Sequence, residues 1–580
     1  MAKRSLVAFD TRHIKKYVFA TDKLKEIRGA SSLLDYLNRQ VMKEIGQTKG
    51  DAFFAEPVFA NGGAALFLVK GNKEAAKKFG RLVQQEYRHK TFDGASVAFA
   101  VQEIPDYIED VWGDERMQET LDLLYAHLEM ASNCEEEIID LPSHPLMLTC
   151  SSCGARYAET SDDGERGDAG SRDNRYCWTC QQKREEDGTV KHGIDQITHA
   201  IVAHSKKGWQ GEIALPATKE VRHSFAWGEL LRKLPEDYDF GGNPERPSDF
   251  NELRGITGGK DYFAVIHADG NGMGQAMQDQ HSLKARKEKA QLIDGAVYQA
   301  LRTAVSEHLP VVEHNSASMF PFDLLLLGGD DILIVTPANV ALDVALTLAR
   351  EFYEQTGRQH SLSVGVVLAP IKYPFGLLHD LAEEALKFAK REGTRRMEGI
   401  AKGQASAYGE TFLNFMVVTG STSQSFEKVY GSLHEKHGRV SGRAQEVAFY
   451  ATLRPYTVEE LDYLLESIRE GRALGLGRTK LHQMREAALK LNLSTSVNEA
   501  HAVWRNWKLN QKGFMSEHLY ELAKRYQERY KDESRPETLF PRVTFPWFAD
   551  GPDAYRTSLL DFVELYDFVE PKGGSNAHEG

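Results

Sequence analysis

Apolar and polar positions along this chain fall into two sets of segments that share one order. In "FDLLLLGGDDILIV", Phe322 to Val335, two strand-length apolar runs enclose a tip of two glycines and two aspartates, the pattern of a buried hairpin ending in Asp330 and Asp331. Upstream, "YFAVIHADGNGMGQAM" predicts a buried strand that ends at Asp269 and runs into a glycine-rich turn. Downstream, "NVALDVALTLAREFYEQ" places Leu342, Ala345, Leu346, Ala349, Phe352 and Tyr353 on one helical face, and "SLSVGVVLAP" predicts another strand. Strand, helical segment, hairpin, helix, strand is the order of a ferredoxin-like α+β sandwich.

The same order occurs near the amino terminus. "SLVAFD" ends at Asp10 as "FAVIHAD" ends at Asp269, "VFANGGAALFLV" stands where the hairpin stands, and "GASVAFAV" matches "SLSVGVVL". Asp10 to Gly62 is 52 positions against 59 from Asp269 to Gly328, and Gly62 to Ser96 is 34 against 35 from Gly328 to Ser363. The module is duplicated. This alignment sets Ala64 and Ala65 opposite Asp330 and Asp331, so one copy keeps the hairpin without its charges. The fold does not require those carboxylates.

Between the copies lie "CSSC" (Cys150, Cys153) and "CWTC" (Cys177, Cys180), separated by 23 residues. Two such pairs offer four thiolates for a tetrahedral structural zinc, with no open position for catalysis. A redox or disulfide pair is the alternative. The polar stretch "SDDGERGDAGSRDN" loops away from the metal, and Cys134 is left over as a buried thiol. From about residue 400 the pattern is helical with short breaks. Thr457 begins "TVEELDYLLESIREG" as a cap, and Arg472, Arg478, Lys480 and Arg485 surround a glycine-rich turn, read as a solvated helix face. The tail "EPKGGSNAHEG" reads as disordered.

At 580 residues the chain is too long for one core. A net charge of -13 argues against nucleic-acid binding over the whole surface but leaves room for a local basic groove. The start lacks a signal peptide's apolar core, and no run approaches the ~18 apolar residues of a membrane span, so the expected location is cytoplasmic.

Three carboxylates gathered on a rigid turn and a neighbouring strand end repel one another unless a cation joins them. Magnesium or manganese suits such oxygen ligands and bridges them to substrate phosphates, which is the chemistry of nucleotidyl transfer. A plain solvated turn also favours Gly and Asp, but Asp269 and the charge-free duplicate weigh against it. The expected metal ligands and catalytic groups are Asp269, Asp330 and Asp331. Gly270, Asn271, Gly272 and Gly274 would line a phosphate path, and Gly328 and Gly329 would let substrate approach the backbone. Lys390 is the first choice for holding a triphosphate, with Lys387 on the same helix; a wet helix face is the bland reading of both. Gly62 and Gly63 are weaker candidates for an opposite wall.

The hairpin "GGDD", the strand "HADGNGMG" and the helix "ALKFAKREG" are similar to palm-type cyclases and polymerases. The opening "FDTRHIKKYVFATDKLKEIRGASSLLDYLNR", the charge-free first palm, the cysteine module and the second palm together resemble the large subunit of type III CRISPR interference complexes. The resemblance implies an α+β multidomain chain. Residues 1–110 would form a degenerate first ferredoxin-like palm and 111–255 a helical linker with a zinc module at 145–185. Residues 256–400 would form the active palm, 401–570 an all-helical carboxy-terminal domain, and 571–580 a disordered tail. It also implies ATP as substrate, signalling and usually cyclic oligoadenylates or a related adenylate as product, and guide CRISPR RNA, target RNA and other type III subunits as partners.

Many members of that family begin with an HD-type nuclease domain. Here the first palm starts almost at Met1, and the only "HD" pair, His379-Asp380, reads as helix surface, so DNA cleavage is not expected. Two further readings remain: a non-catalytic scaffold of the same ribonucleoprotein, and a stand-alone dinucleotide cyclase.

Overall fold

The structure, a computed structural model, describes residues 3–47, 53–133, 147–161, 175–205, 225–235, 238–256, 261–314, 317–399, 409–420, 425–440, 446–490, 492–529, 543–550 and 553–570. Cys134, the polar loop from 162 to 174 and the tail from 571 lie outside the described residues.

The first palm comprises β1 (Arg4–Arg12), α1 (Ile14–Val18), α2 (Leu24–Tyr36), α3 (Met42–Gly46), β2 (Phe54–Asn61), β3 (Ala64–Lys70), α4 (Lys73–Thr91) and β4 (Ser96–Glu103). Its antiparallel sheet has the order β2-β3-β1-β4, the ferredoxin-like arrangement the sequence pattern predicts. β1 is apolar on both faces because both are covered. Val7 and Phe9 pack in one core with Phe79 of α4, while Leu6 and Ala8 meet Leu121 and Leu124 of α5 (Met117–Asn133) in another.

The cysteine module contributes β5 (Thr160–Ser161), β6 (Arg175–Tyr176) and α6 (Trp178–Ser205), followed by α7 (Phe225–Lys233). The second palm then contains β7 (Tyr262–Gly270), α8 (Met273–Gln278) and α9 (Leu283–His308), followed by a ribbon of β8 (Val312–His314) and β9 (Ala317–Met319). It continues through β10 (Asp323–Gly328), β11 (Asp331–Pro337), α10 (Ala341–Gln355), β12 (Leu362–Pro370), α11 (Phe375–Gly399) and β13 (Leu413–Val417). The sheet order is β10-β11-β7-β12-β13, with β13 added parallel to β12. One sheet face packs Ala264, Ile266 and Ala268 against α9 and α10. The other face, with Phe263, Val265 and Leu333, shares a core with Ala30 and Leu33 of the first palm.

The carboxy-terminal region is mostly helical but not all-helical. Alongside α12 (Phe426–His434), α13 (Val458–Ala473), α14 (Arg478–Ala488), α15 (Leu493–Arg505), α16 (Leu509–Arg529) and α17 (Leu559–Leu565) it carries a five-stranded sheet. That sheet joins β14 (Lys436–Gly438), β15 (Val447–Tyr450), β16 (Val543–Thr544), β17 (Trp547–Ala549) and β18 (Ala554–Arg556). Its strands have two to four residues, too short to show a period of two, and β15 pairs with β18 about a hundred positions away. Thr457 caps α13 as expected, in a reciprocal pair with Glu460. The basic turn is not a simple solvated face: Arg472 donates to the Val569 carbonyl at 2.7 Å, Arg478 pairs with Asp567 at 2.6 Å, and Lys480 donates to the Asn506 carbonyl at 2.7 Å.

Candidate active site and cysteine cluster

β7 ends between β11 and β12, so Asp269 emerges beside the tip of the β10–β11 hairpin. Gly328 pairs with Asp331, leaving Gly329 and Asp330 as a two-residue loop, and Gly329 takes the positive φ of 65° that the turn requires. Asp330 projects over Gly270, where any Cβ would overlap its Oδ2 atom. The Asp330 carboxyl is pushed up to about 7, first by burial and then by the charge of Asp269 beside it. Lys390 of α11 donates from Nζ to Asp269 Oδ2 and, at 2.9 Å, to the Gly270 carbonyl. Asp331 turns to a different partner: its Oδ1 lies 2.9 Å from Nε2 of the buried His267.

Asp269, Asp330, Gly270 and Lys390 therefore form one cluster, with Asp331 and His267 at its side. His267 was legible in the sequence only as the residue two positions before Asp269, a spacing that puts both on one face of the strand. A divalent metal fits this donor set. The oxygens are hard ligands, and two crowded carboxyls that resist ionising together are relieved by a cation.

Other expected residues take different roles. Asn271 is buried, with its amide committed: Nδ2 donates to Ser361 Oγ at 2.9 Å, and Oδ1 accepts from Ser363 Oγ at 2.8 Å. Its side chain therefore ties β7 to β12 and does not line a phosphate path. Gly272 has a φ of 62° and begins α8, and Gly274 has nothing within 4 Å of a built Cβ, so its surface is open. Lys387 is exposed and pairs with Glu383 at 2.7 Å, a carboxylate it shares with Lys15, rather than with the aspartates.

Gly328 is not left open for substrate. A Cβ on Gly62 would lie 2.8 Å from the Gly328 carbonyl oxygen, and one on Gly328 would lie 2.9 Å from Gly62 Cα, so the two hairpin tips meet backbone to backbone. Gly63 is likewise filled in, against Ile14 Cδ1. The pairing of Asn61 with Ala64 also corrects the alignment of the duplicates. The first palm's loop is Gly62-Gly63, so Gly63 and Ala64, not Ala64 and Ala65, stand where Asp330 and Asp331 stand. Matching glycine to glycine slipped the register by one because the two loops place their glycines differently. Asp10, the counterpart of Asp269, accepts from Ser132 at 3.0 Å.

Cys150, Cys153, Cys177 and Cys180 come together with their sulfurs all within 4.8 Å of one another, and none is in a disulfide. The Gly154 N–H donates to the Cys150 carbonyl at 3.0 Å, folding the first pair into a tight turn, while Cys177 and Cys180 stand at the start of α6. Four converging thiols fit a tetrahedral zinc.

His379 is not helix surface: it is 3% exposed, stacks on Phe19 at 3.9 Å and faces His267 at 5.5 Å between ring centres. His379, Asp380 and Glu383 do cluster, but Glu383 is already paired with Lys15 and Lys387. A cavity of about 620 Å³ lies beyond Phe388 and Arg391 of α11 and does not include the palm carboxylates. Its inner arginines are committed: Arg454 to Asp561 and Glu564, Arg529 to Glu460, and Arg556 to Asp550.

The sheet order β10-β11-β7-β12, with the hairpin tip beside the end of β7, is the arrangement of a palm domain. Residues 262–397 match the family model described as Cas10/Cmr2, second palm domain, so this segment is a Cas10-type palm. Among curated proteins none matches the chain by sequence. Among solved structures, a Csm1-Csm4 cassette in complex with pppApApA shares the fold at a TM-score of 0.51 and 13% identity, over 92% of this chain and 67% of that one. The cassette in complex with cA4 matches at 0.47 and 14%, over 84% and 62%. The subcomplex from a type III-A CRISPR-Csm interference complex matches at 0.42 and 17%, over 68% and 54%. This chain thus spans about three-fifths of the cA4-bound relative's length. No helix among the described residues is long and apolar enough to cross a membrane.

Proposed function

We propose that this chain is a metal-dependent nucleotidyltransferase that joins ATP into short, cyclic or related adenylates within an RNA-guided type III CRISPR complex. The observation that carries this is the convergence of Asp269 and Asp330 at a rigid palm tip, with Asp330 over Gly270 and the ammonium of Lys390 on Asp269. ATP is favoured because the cassette with the same fold binds pppApApA.

Asp269 and Asp330 would hold magnesium or manganese, which when bound activates the attacking 3'-hydroxyl and stabilises the leaving pyrophosphate. Asp331, oriented by His267, completes the acidic face or orients the hydroxyl. Lys390, which pairs with Asp269 and the Gly270 carbonyl, would hold the triphosphate beside the metal. Gly270 keeps the space that Asp330 needs, and the open backbone at Gly274 borders the phosphates. Zinc in the cysteine cluster is structural. Guide RNA, target RNA and further subunits are the proposed partners, and the domain limits given above are the proposed divisions, with the second palm extended through β13 to Val417 and the carboxy-terminal domain mixed rather than all-helical.

The test follows labelled ATP and GTP with Mg²⁺ or Mn²⁺, with and without the guide-loaded, target-bound complex. An oligonucleotide product with pyrophosphate release, lost in Asp330→Ala/Asp331→Ala, supports the transferase. An assembled, target-bound complex that makes none points to the scaffold.

A further inference from the structure

The carboxylate site makes no use of "KEIRGASSLLDYLNR", the stretch that carries much of the sequence resemblance. Its residues Lys25 to Tyr36 lie on α2, and α2 packs on β10, the strand that leads into the catalytic tip. Arg28 is buried at the centre of this contact. Its Nη1 donates to Asp323 Oδ2 at 2.9 Å and to the Pro247 carbonyl at 2.6 Å, and its Nη2 donates to Asp187 Oδ2 at 2.9 Å. Arg246 reaches Asp187 Oδ1 at 3.3 Å, so two guanidinium groups and two carboxylates balance in a buried cluster. Asp323 is the first residue of β10, and Asp187 lies on α6, two turns beyond the cysteine cluster.

Next to Arg28, a Cβ on Gly29 would overlap the Lys183 carbonyl, so α2 and α6 touch at backbone distance. Ser31, Ser32 and Asp35 continue the line and face Leu324 and Leu327. At the far end Gly62 abuts Gly328. The first palm thus meets β10 at its base, along its length and at its tip.

We propose that the first palm braces the catalytic hairpin of the second, and that Arg28 is the positioning residue that fixes the base of β10 while Gly62 fixes the tip. The role of the hairpin in catalysis rests on the transferase reading above; the brace itself does not. Only a planar, forked cation reaches Asp323, Asp187 and a carbonyl together, so lysine is an incomplete substitute. Removing Arg28 alone strands Asp323 as a buried charge, so the informative change removes both members and leaves the Arg246–Asp187 pair in balance.

The experiment compares the full chain with Arg28→Met/Asp323→Asn and with Arg28→Lys. It reads hydrogen exchange at the amides of Leu324 to Leu333, then the Mn²⁺ activation constant and the KM for ATP. The brace predicts at least tenfold faster exchange confined to the hairpin and a Mn²⁺ activation constant raised at least fivefold. KM at saturating Mn²⁺ should move less than twofold, and Arg28→Lys should lie between wild type and the double variant. A folded double variant with wild-type hairpin exchange overturns the proposal. If the double variant does not fold, Arg28→Lys carries the test, and unchanged hairpin exchange there overturns it as well. An assembled, target-bound wild-type complex without turnover removes the transferase reading, and the exchange data still decide the brace.

Discussion

Lys390 and the metal make opposing demands on Asp269. The ammonium satisfies the carboxylate while no cation is bound, and the proposed transferase would have the same ammonium hold a triphosphate. Lys390→Gln should therefore separate two affinities. Mn²⁺ binding, measured by calorimetry without nucleotide, should hold or strengthen, because a competing cation has gone. The KM for ATP should rise roughly 10- to 100-fold, the loss of a charge-assisted hydrogen bond of about 1.5–3 kcal/mol. Parallel weakening of both would show that Lys390 only shapes the site. Asp330 supplies a pH signature. Its carboxyl is held up to about 7, so metal must displace a proton below that pH. Affinity for Mn²⁺ should climb by about tenfold per pH unit toward 7 and flatten above it. Without metal the sign reverses for stability: ionising Asp330 is easier in the unfolded chain, so its contribution falls as pH rises from about 4 to about 7. A flat Mn²⁺ profile from pH 5.5 to 8 would show that Asp330 is not a ligand.

At the scale of elements, what could be read from sequence depended on strand length and on who covers each face. The runs ending at Asp269 and enclosing "GGDD" were readable because four or five consecutive apolar residues, bounded by glycine-rich turns, fit a strand buried on both sides and are too short for a helix. The carboxy-terminal sheet was not, since no strand of two to four residues carries its own period. Asn271 misled for a related reason: an amide in a glycine-rich turn looks like a phosphate ligand until the partner strand brings Ser361 and Ser363 to it. The cysteine cluster was readable from spacing alone, but its mechanical position was not. α6 begins between Cys177 and Cys180 and carries Lys183 and Asp187 onto α2. Cys180→Ser, or removal of zinc by a chelator with a thiol reagent, should therefore fray the start of α6 and raise hydrogen exchange from Trp178 to Asp187. Wild-type protein should carry about one zinc per chain by elemental analysis. A chain that keeps this protection after losing the metal would make the cluster dispensable for the helix.

At the scale of the molecule, the two palms are not beads on a string. A ferredoxin-like sheet places both its own helices on one face and needs something else for the other. In the second palm, α11 covers part of that face, and Ala30 and Leu33 of the first palm share the core containing Phe263, Val265, Leu325 and Leu333. The duplicate without carboxylates at its hairpin tip thus serves as a covering layer for the palm that has them. This sharing predicts the behaviour of fragments. Residues 256–420 produced alone should expose that apolar face and behave as an aggregating or loosely packed species, with poor dispersion of amide resonances, because exposed contiguous apolar surface drives association. Co-expression with residues 1–255 should return a soluble one-to-one complex whose hairpin amides are protected as in the intact chain. A second palm that folds alone with native protection would show that each palm completes its own core, and the first palm would then need a different reason to remain.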